Sequence, residues 1–121
     1  MKNTRAGKGH KPKSLQQLRK MYDEVGNLDR DKKLLWVREG GKYFQVYLDG
    51  VPAYEARFDE FDVFSEGFHR VREGDKEYHI HSDGTPAYGQ RFDQVTGFRK
   101  GRAKARLGSD WFTIIPNGAR V

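Results

Sequence analysis

The 121 residues suit one compact domain with a short appendage, and the lack of cysteine excludes disulfides, thiolate metal sites and cysteine nucleophiles. Hydrophobic residues make up 36% and charged residues 33%, so the core must be small and drawn from the 8 Phe, 6 Tyr and 2 Trp. The net charge of +6 sits mostly at the front: residues 1–13 carry Lys2, Arg5, Lys8, Lys11 and Lys13 with no acid, while from residue 34 onward thirteen cations and thirteen anions cancel.

The opening segment, MKNTRAGKGHKPKS, has cations but no apolar run behind it, and nowhere do about 18 apolar residues follow one another. Neither a secretion signal nor a membrane span is expected, and the expected location is cytoplasmic. Residues 1–13 lack any hydrophobic period and are expected to form a flexible basic tail. Ser14 followed by Gln17 is a capping-box pattern, and Leu15, Leu18, Tyr22 and Val25 recur at helical spacing. Residues 14–33 therefore read as a helix over 15–24, ended by Gly26-Asn27, and a linker. Leu15, Leu18 and Tyr22 are expected to be buried where this helix caps the rest.

Residues 34–121 repeat with a period of 34. DGVPAYEARFDEFDVFSEG at 49–67 returns without a gap as DGTPAYGQRFDQVTGFRKG at 83–101, and the turn Asp49-Gly50 recurs as Asp83-Gly84 and Asn117-Gly118. Between these turns lie three gapless segments, starting at Leu34, Phe68 and Arg102, each with two alternating runs around Gly40, Gly74 or Gly108. That is the pattern of a β-hairpin, and pairing its arms sets Val37 opposite Phe44, Val71 opposite Tyr78 and Ala105 opposite Phe112 on an inward face. VPAY and TPAY are expected to add a third strand, giving three-stranded antiparallel meanders. The stretches with Phe58, Phe61 and Phe64, and with Phe92, Val95 and Phe98, show a period of three that predicts a 3₁₀ turn or irregular wrap. The fold class is mainly all-β, with about two and a half tandem units and one short α-helix as cap.

The order RFD-x-V-x-x-F-x-x-G, an alternating strand, a Gly turn with Trp, then Ile and an Asn-Gly or Asp-Gly turn resembles the WG repeat, a bacterial β-hairpin repeat found in tandem arrays. The naming Trp-Gly pair stands here as Trp111-Phe112, Tyr43-Phe44 and Glu77-Tyr78, so the chain is similar to a diverged member. The resemblance implies a binding or scaffolding element rather than an enzyme.

Residues that recur between copies serve the shared fold: Asp59 and Asp93, Arg57 and Arg91, Tyr54 and Tyr88 are expected as turn caps, ion pairs and core. His79 and His81 share a strand face with no third ligand at suitable spacing, and read as surface histidines; no metal or other cofactor is expected. Copy-specific features are the candidates for function. Arg99, Lys100, Arg102, Lys104 and Arg106 put a cationic row on the third hairpin, with Trp111 opposite Arg106. Lys2, Arg5, Lys8, Lys11 and Lys13 supply a basic arm. Trp36, Tyr43, Tyr47 and Trp111 are candidate interface aromatics. The expected function is a non-enzymatic binding module for a protein or ribonucleoprotein partner, as monomer or homodimer. The alternative is direct nucleic-acid binding through the tail and the third hairpin.

Overall fold

The computed structural model describes residues 11–29, 32–62 and 66–121. They form one helix, α1 (Leu15–Met21), and nine strands: β1 (Glu24–Asp29), β2 (Leu34–Glu39), β3 (Lys42–Tyr47), β4 (Glu60–Phe61), β5 (Phe68–Glu73), β6 (Lys76–His81), β7 (Gln94–Val95), β8 (Ala103–Leu107) and β9 (Asp110–Ile114). The strands make three antiparallel sheets, β1-β2-β3, β4-β5-β6 and β7-β8-β9. The chain falls into two compact units, one ending at Arg57 and one running from Phe58 to Val121.

Every hairpin register expected from the sequence is present, including Val37 with Phe44, Val71 with Tyr78, Ala105 with Phe112 and Arg106 with Trp111. The reason is the two-residue turn at Gly40, Gly74 and Gly108, where φ is +60°, +64° and +60°, a left-handed value costly for any residue with a Cβ. An aspartate closes each turn: Asp23, Asp59 and Asp93 accept from the N–H of Gly40, Gly74 and Gly108 at 2.9, 2.7 and 2.7 Å.

Two expectations are corrected. The third strand of each sheet precedes its hairpin: β4 pairs Glu60 with Arg72, and β7 pairs Gln94 with Arg106. The segments read as a 3₁₀ wrap therefore begin as short strands, while VPAY and TPAY make only isolated bridges, Val46 with Pro52 and Ile80 with Pro86. Proline offers no N–H to extend a ladder there.

The second correction is at the front. The helix stops at Met21, and Tyr22-Asp23-Glu24-Val25 opens β1 as the counterpart of Phe58-Asp59-Glu60-Phe61 and Phe92-Asp93-Gln94-Val95. Helical periodicity and the strand signature overlap at Tyr22 and Val25, and tertiary pairing decides. Asp23 and Asp59 stand 36 residues apart instead of 34, which hid this third copy, and a register shift between Val25 and Leu28 takes up part of the excess.

In the first unit Leu18, Leu35, Val37, Phe44 and Val46 form the core, and Tyr22 packs edge-on against Phe44 at 5.7 Å and donates to the Gly50 carbonyl. Leu18 is buried as expected, but Leu15 is 45% exposed, on the far side of a helix that is only two turns long. Ser14 and Gln17 form the expected capping box. The chain is tied down from Lys13, whose N–H donates to the Leu48 carbonyl.

In the second unit Phe58, Val71, Ile80, Phe98, Ala105 and Ile114 are almost fully buried. A guanidinium lies on one core ring in each copy: Arg57 over Phe44, Arg91 over Tyr78 and Arg120 over Phe112, at 3.6, 3.6 and 3.7 Å. Arg57 also donates to the carbonyls of Tyr54, Glu55 and Ala56, and Arg91 to those of Tyr88, Gly89 and Gln90. The recurring arginines are thus held by loops and rings, as the repeat comparison anticipated.

Candidate functional site

A residue with its side chain opposite the core face of the middle strand recurs every 34 positions, as Trp36, Arg70 and Lys104, with Gln45, His79 and Thr113 as its cross-strand partners. The scaffold under it is the same in the three copies, and the side chains on it are not.

In the first copy this place is aromatic. The Trp36 ring lies 5.7 Å from Tyr43, and its indole rests on the backbone of Gly26, where an added Cβ would fall 1.8 Å from a ring carbon. Glycine is required here by close approach rather than by its dihedral angles. Gly26→Val should destabilise the first unit by about 1–3 kcal/mol, as overpacked sites do, and urea unfolding followed by Trp36 fluorescence measures it. Tyr47, like Tyr43, is half-buried on the same strand face, whereas Trp111 belongs to the second unit and is 50% exposed. Trp36 and Tyr43 are the pair of the four expected aromatics that the structure records in ring contact.

In the second copy the place is a closed ion cluster. Arg70 pairs with Glu60, Asp62 and Glu77 at 3.1, 2.6 and 2.9 Å. Partial burial opposes the arginine's charge, but the hydrogen bonds it donates to Asp62 and Glu60 and the nearby Glu77 outweigh it and raise its pKa above the ordinary value. The partner His79 is not a surface histidine: it is 0% exposed. Phe98 and Tyr88 cover the face assumed to be open, with ring centroids 4.4 and 5.7 Å from the imidazole. His79 Nε2 lies 2.8 Å from the Thr96 carbonyl, which can only accept, so Nε2 carries the proton and Nδ1 accepts from the Tyr88 hydroxyl at 2.6 Å. Burial pushes its pKa down to about 4, the Thr96 carbonyl opposing and Arg70 adding to the shift. In the first copy Gln45 fills the same role by accepting from Tyr54. His81 is exposed, and among the described residues no three His, Asp or Glu side chains gather into a metal-ligating group.

In the third copy the place is cationic and open. Arg102 and Lys104 are exposed and Arg106 half-exposed, alternating with buried Ala103 and Ala105, as the strand period predicts. Lys104 reaches Thr113 Oγ1 at 2.9 Å, and the Arg106 guanidinium lies 5.9 Å from the Trp111 ring. Arg99 and Arg102 exchange backbone hydrogen bonds around Lys100-Gly101, both with positive φ. The Glu66 carboxylate holds that turn by accepting from the N–H of Lys100 and of Gly101. Beside it opens a cavity of about 300 Å³ lined by Thr96, Gly97, Arg99, Arg102, Lys104 and Thr113. The structure thus brings Arg99, Arg102 and Lys104 together around one hollow, with Arg106 and Trp111 in the same hairpin. Lys100 stands at the turn.

Of the basic arm, Lys11 and Lys13 are exposed, while Lys2, Arg5 and Lys8 lie outside the described residues. Among the described residues no helix is long and apolar enough to cross a membrane. What the sequence reading missed is that the three carboxylates around Arg70 have neutral counterparts around Lys104. The gapless 34-residue alignment carried that signal, since it sets Glu60, Asp62 and Glu77 over Gln94, Thr96 and Trp111. Comparison with protein families matches residues 49–76 to the WG containing repeat. No curated protein and no solved structure matches the chain.

Proposed function

The chain belongs to the WG repeat family, matched at residues 49–76, and from that premise we propose that it is a non-enzymatic binding module for a protein or ribonucleoprotein partner. The observation that carries this reading is the contrast between constant scaffold and variable surface. Asp23, Asp59 and Asp93 close equivalent turns, whereas the residues displayed at one place change from Trp36 and Tyr43, through the Arg70 cluster, to Lys104 and Trp111. A fold kept by repetition while its displayed groups vary is suited to recognition. Affinity capture with the full chain, with and without ribonuclease, tests the reading. Specific capture is expected, its survival of ribonuclease separates a protein from a ribonucleoprotein, and failure to retain any partner contradicts the proposal.

A second reading, direct nucleic-acid binding, is favoured by the Arg102–Arg106 row beside exposed Trp111, which offers phosphate contacts and a stacking surface. Its mark is salt dependence. Deleting residues 1–10, with Lys2, Arg5 and Lys8, should lower the log-log salt slope for duplex DNA by up to about 2.7, at roughly 0.9 per phosphate contact. Absence of binding to RNA and DNA at low salt eliminates this reading.

A further inference from the structure

Arg70 and Lys104 occupy the same place one repeat apart, and their surroundings differ in a regular way. Glu60, Asp62 and Glu77, which neutralise Arg70, are replaced by Gln94, Thr96 and Trp111 around Lys104. The neighbouring Arg72 bonds Glu60 at 3.2 Å, whereas its counterpart Arg106 meets the neutral Gln94 amide oxygen at 3.5 Å and the Gly108 carbonyl at 2.6 Å. Among the described residues no ion pair forms on Arg99, Arg102, Lys104 or Arg106. The third copy keeps the cations of the second and lacks the counterparts of Glu60, Asp62 and Glu77, while Asp93 keeps the place of Asp59 near Arg106.

A ring is the second element of the comparison. Phe98 rests on Phe68 and His79, at 4.8 and 4.4 Å between centroids, and covers the face of the second hairpin. The counterparts of Phe68 and His79 are Arg102 and Thr113, and both line the cavity of about 300 Å³. The place that takes a ring in the second copy is a hollow in the third.

We propose that this face of β8 and β9 docks an acidic, aromatic-bearing peptide segment of a protein partner. Its carboxylates pair with the exposed Arg102 and Lys104, and its ring enters the hollow between Arg102 and Thr113. Complementary charge sets the recognition and its salt sensitivity, and removal of the ring from water adds apolar burial. The proposal rests on the reading of the chain as a protein-binding module and specifies the partner's chemistry.

The test is fluorescence anisotropy of the full chain with a short labelled polyglutamate peptide carrying one central phenylalanine. Saturable binding at low salt is expected, with little binding of the matching glutamine peptide. The variant Gln94→Glu/Thr96→Asp/Trp111→Glu rebuilds the second copy's carboxylates around Lys104 and should weaken binding by about tenfold or more. Lys104→Gln, with its fold checked by circular dichroism, should weaken binding several-fold, and it decides the matter if the triple variant does not fold. Equal binding of the glutamine peptide, or no loss in the variants, overturns the site. So does tighter binding of labelled oligouridylate with the same dependence on the variants, which assigns the face to nucleic acid. Failure is distinguishable from failure of the module reading. A partner captured equally by wild type and triple variant overturns this site and leaves the module standing, whereas peptide bound without any captured protein supports the site against the module.

Discussion

Lowering the pH from 7 to 4 should remove about 3 kcal/mol of stability from the second unit, and His79→Gln should abolish most of that dependence. His79 has an ordinary value of 6.5 and is pushed down to about 4 by burial. Its folded pKa lies below its unfolded one, so between those values the unfolded chain binds a proton that the folded chain refuses. Stability from this group is complete above about pH 6.5 and falls as the pH drops toward 4. Asp83 and Asp93, held below their ordinary 3.8 chiefly by bonds from Thr85 and from Lys76 respectively, lose their contributions at still lower pH. Glutamine is the suitable replacement because Gln45 already accepts from Tyr54 at the equivalent place in the first copy. Urea unfolding between pH 4 and 7 gives the slope, and an unchanged slope in the variant would falsify the assignment.

Arg70→Met should cost about 2–3 kcal/mol at pH 7, whereas Lys104→Met at the equivalent place should cost less than about 0.5 kcal/mol. Arg70 is only 15% exposed, and its loss leaves Glu60, Asp62 and Glu77 without the cation between them. Glu77, itself 12% exposed, is the least able to regain water, although the Val95 N–H still donates to it. Among the described residues no ion pair forms on Lys104, so its removal strands no paired carboxylate. Denaturation midpoints of the two variants at pH 7 check the contrast, and equal costs would contradict the cage.

The sequence by itself determined the hairpins, their registers, the three turn glycines and the structural character of Asp59, Arg57 and Tyr54, because alternation and turn geometry are local and the repeat supplied its own comparison. It also put the cationic row on an exposed strand face. Only the tertiary structure decided which segment joins each hairpin as its third strand, since Phe58 to Phe61 and Phe92 to Val95 are too short for periodicity to distinguish a strand from a turn. It likewise decided that Tyr22-Asp23-Glu24-Val25 leaves the helix for β1, where pairing with Arg38 and Val37 outweighs a helical pattern of only a few residues. The burial of His79 depends on Phe98 and Tyr88 folding across from outside its own hairpin, and no pattern within β6 carries that information. The same holds for the hollow beside Lys104: its residues are plain in the sequence, but only packing brings Thr96, Arg99, Arg102 and Thr113 around one space.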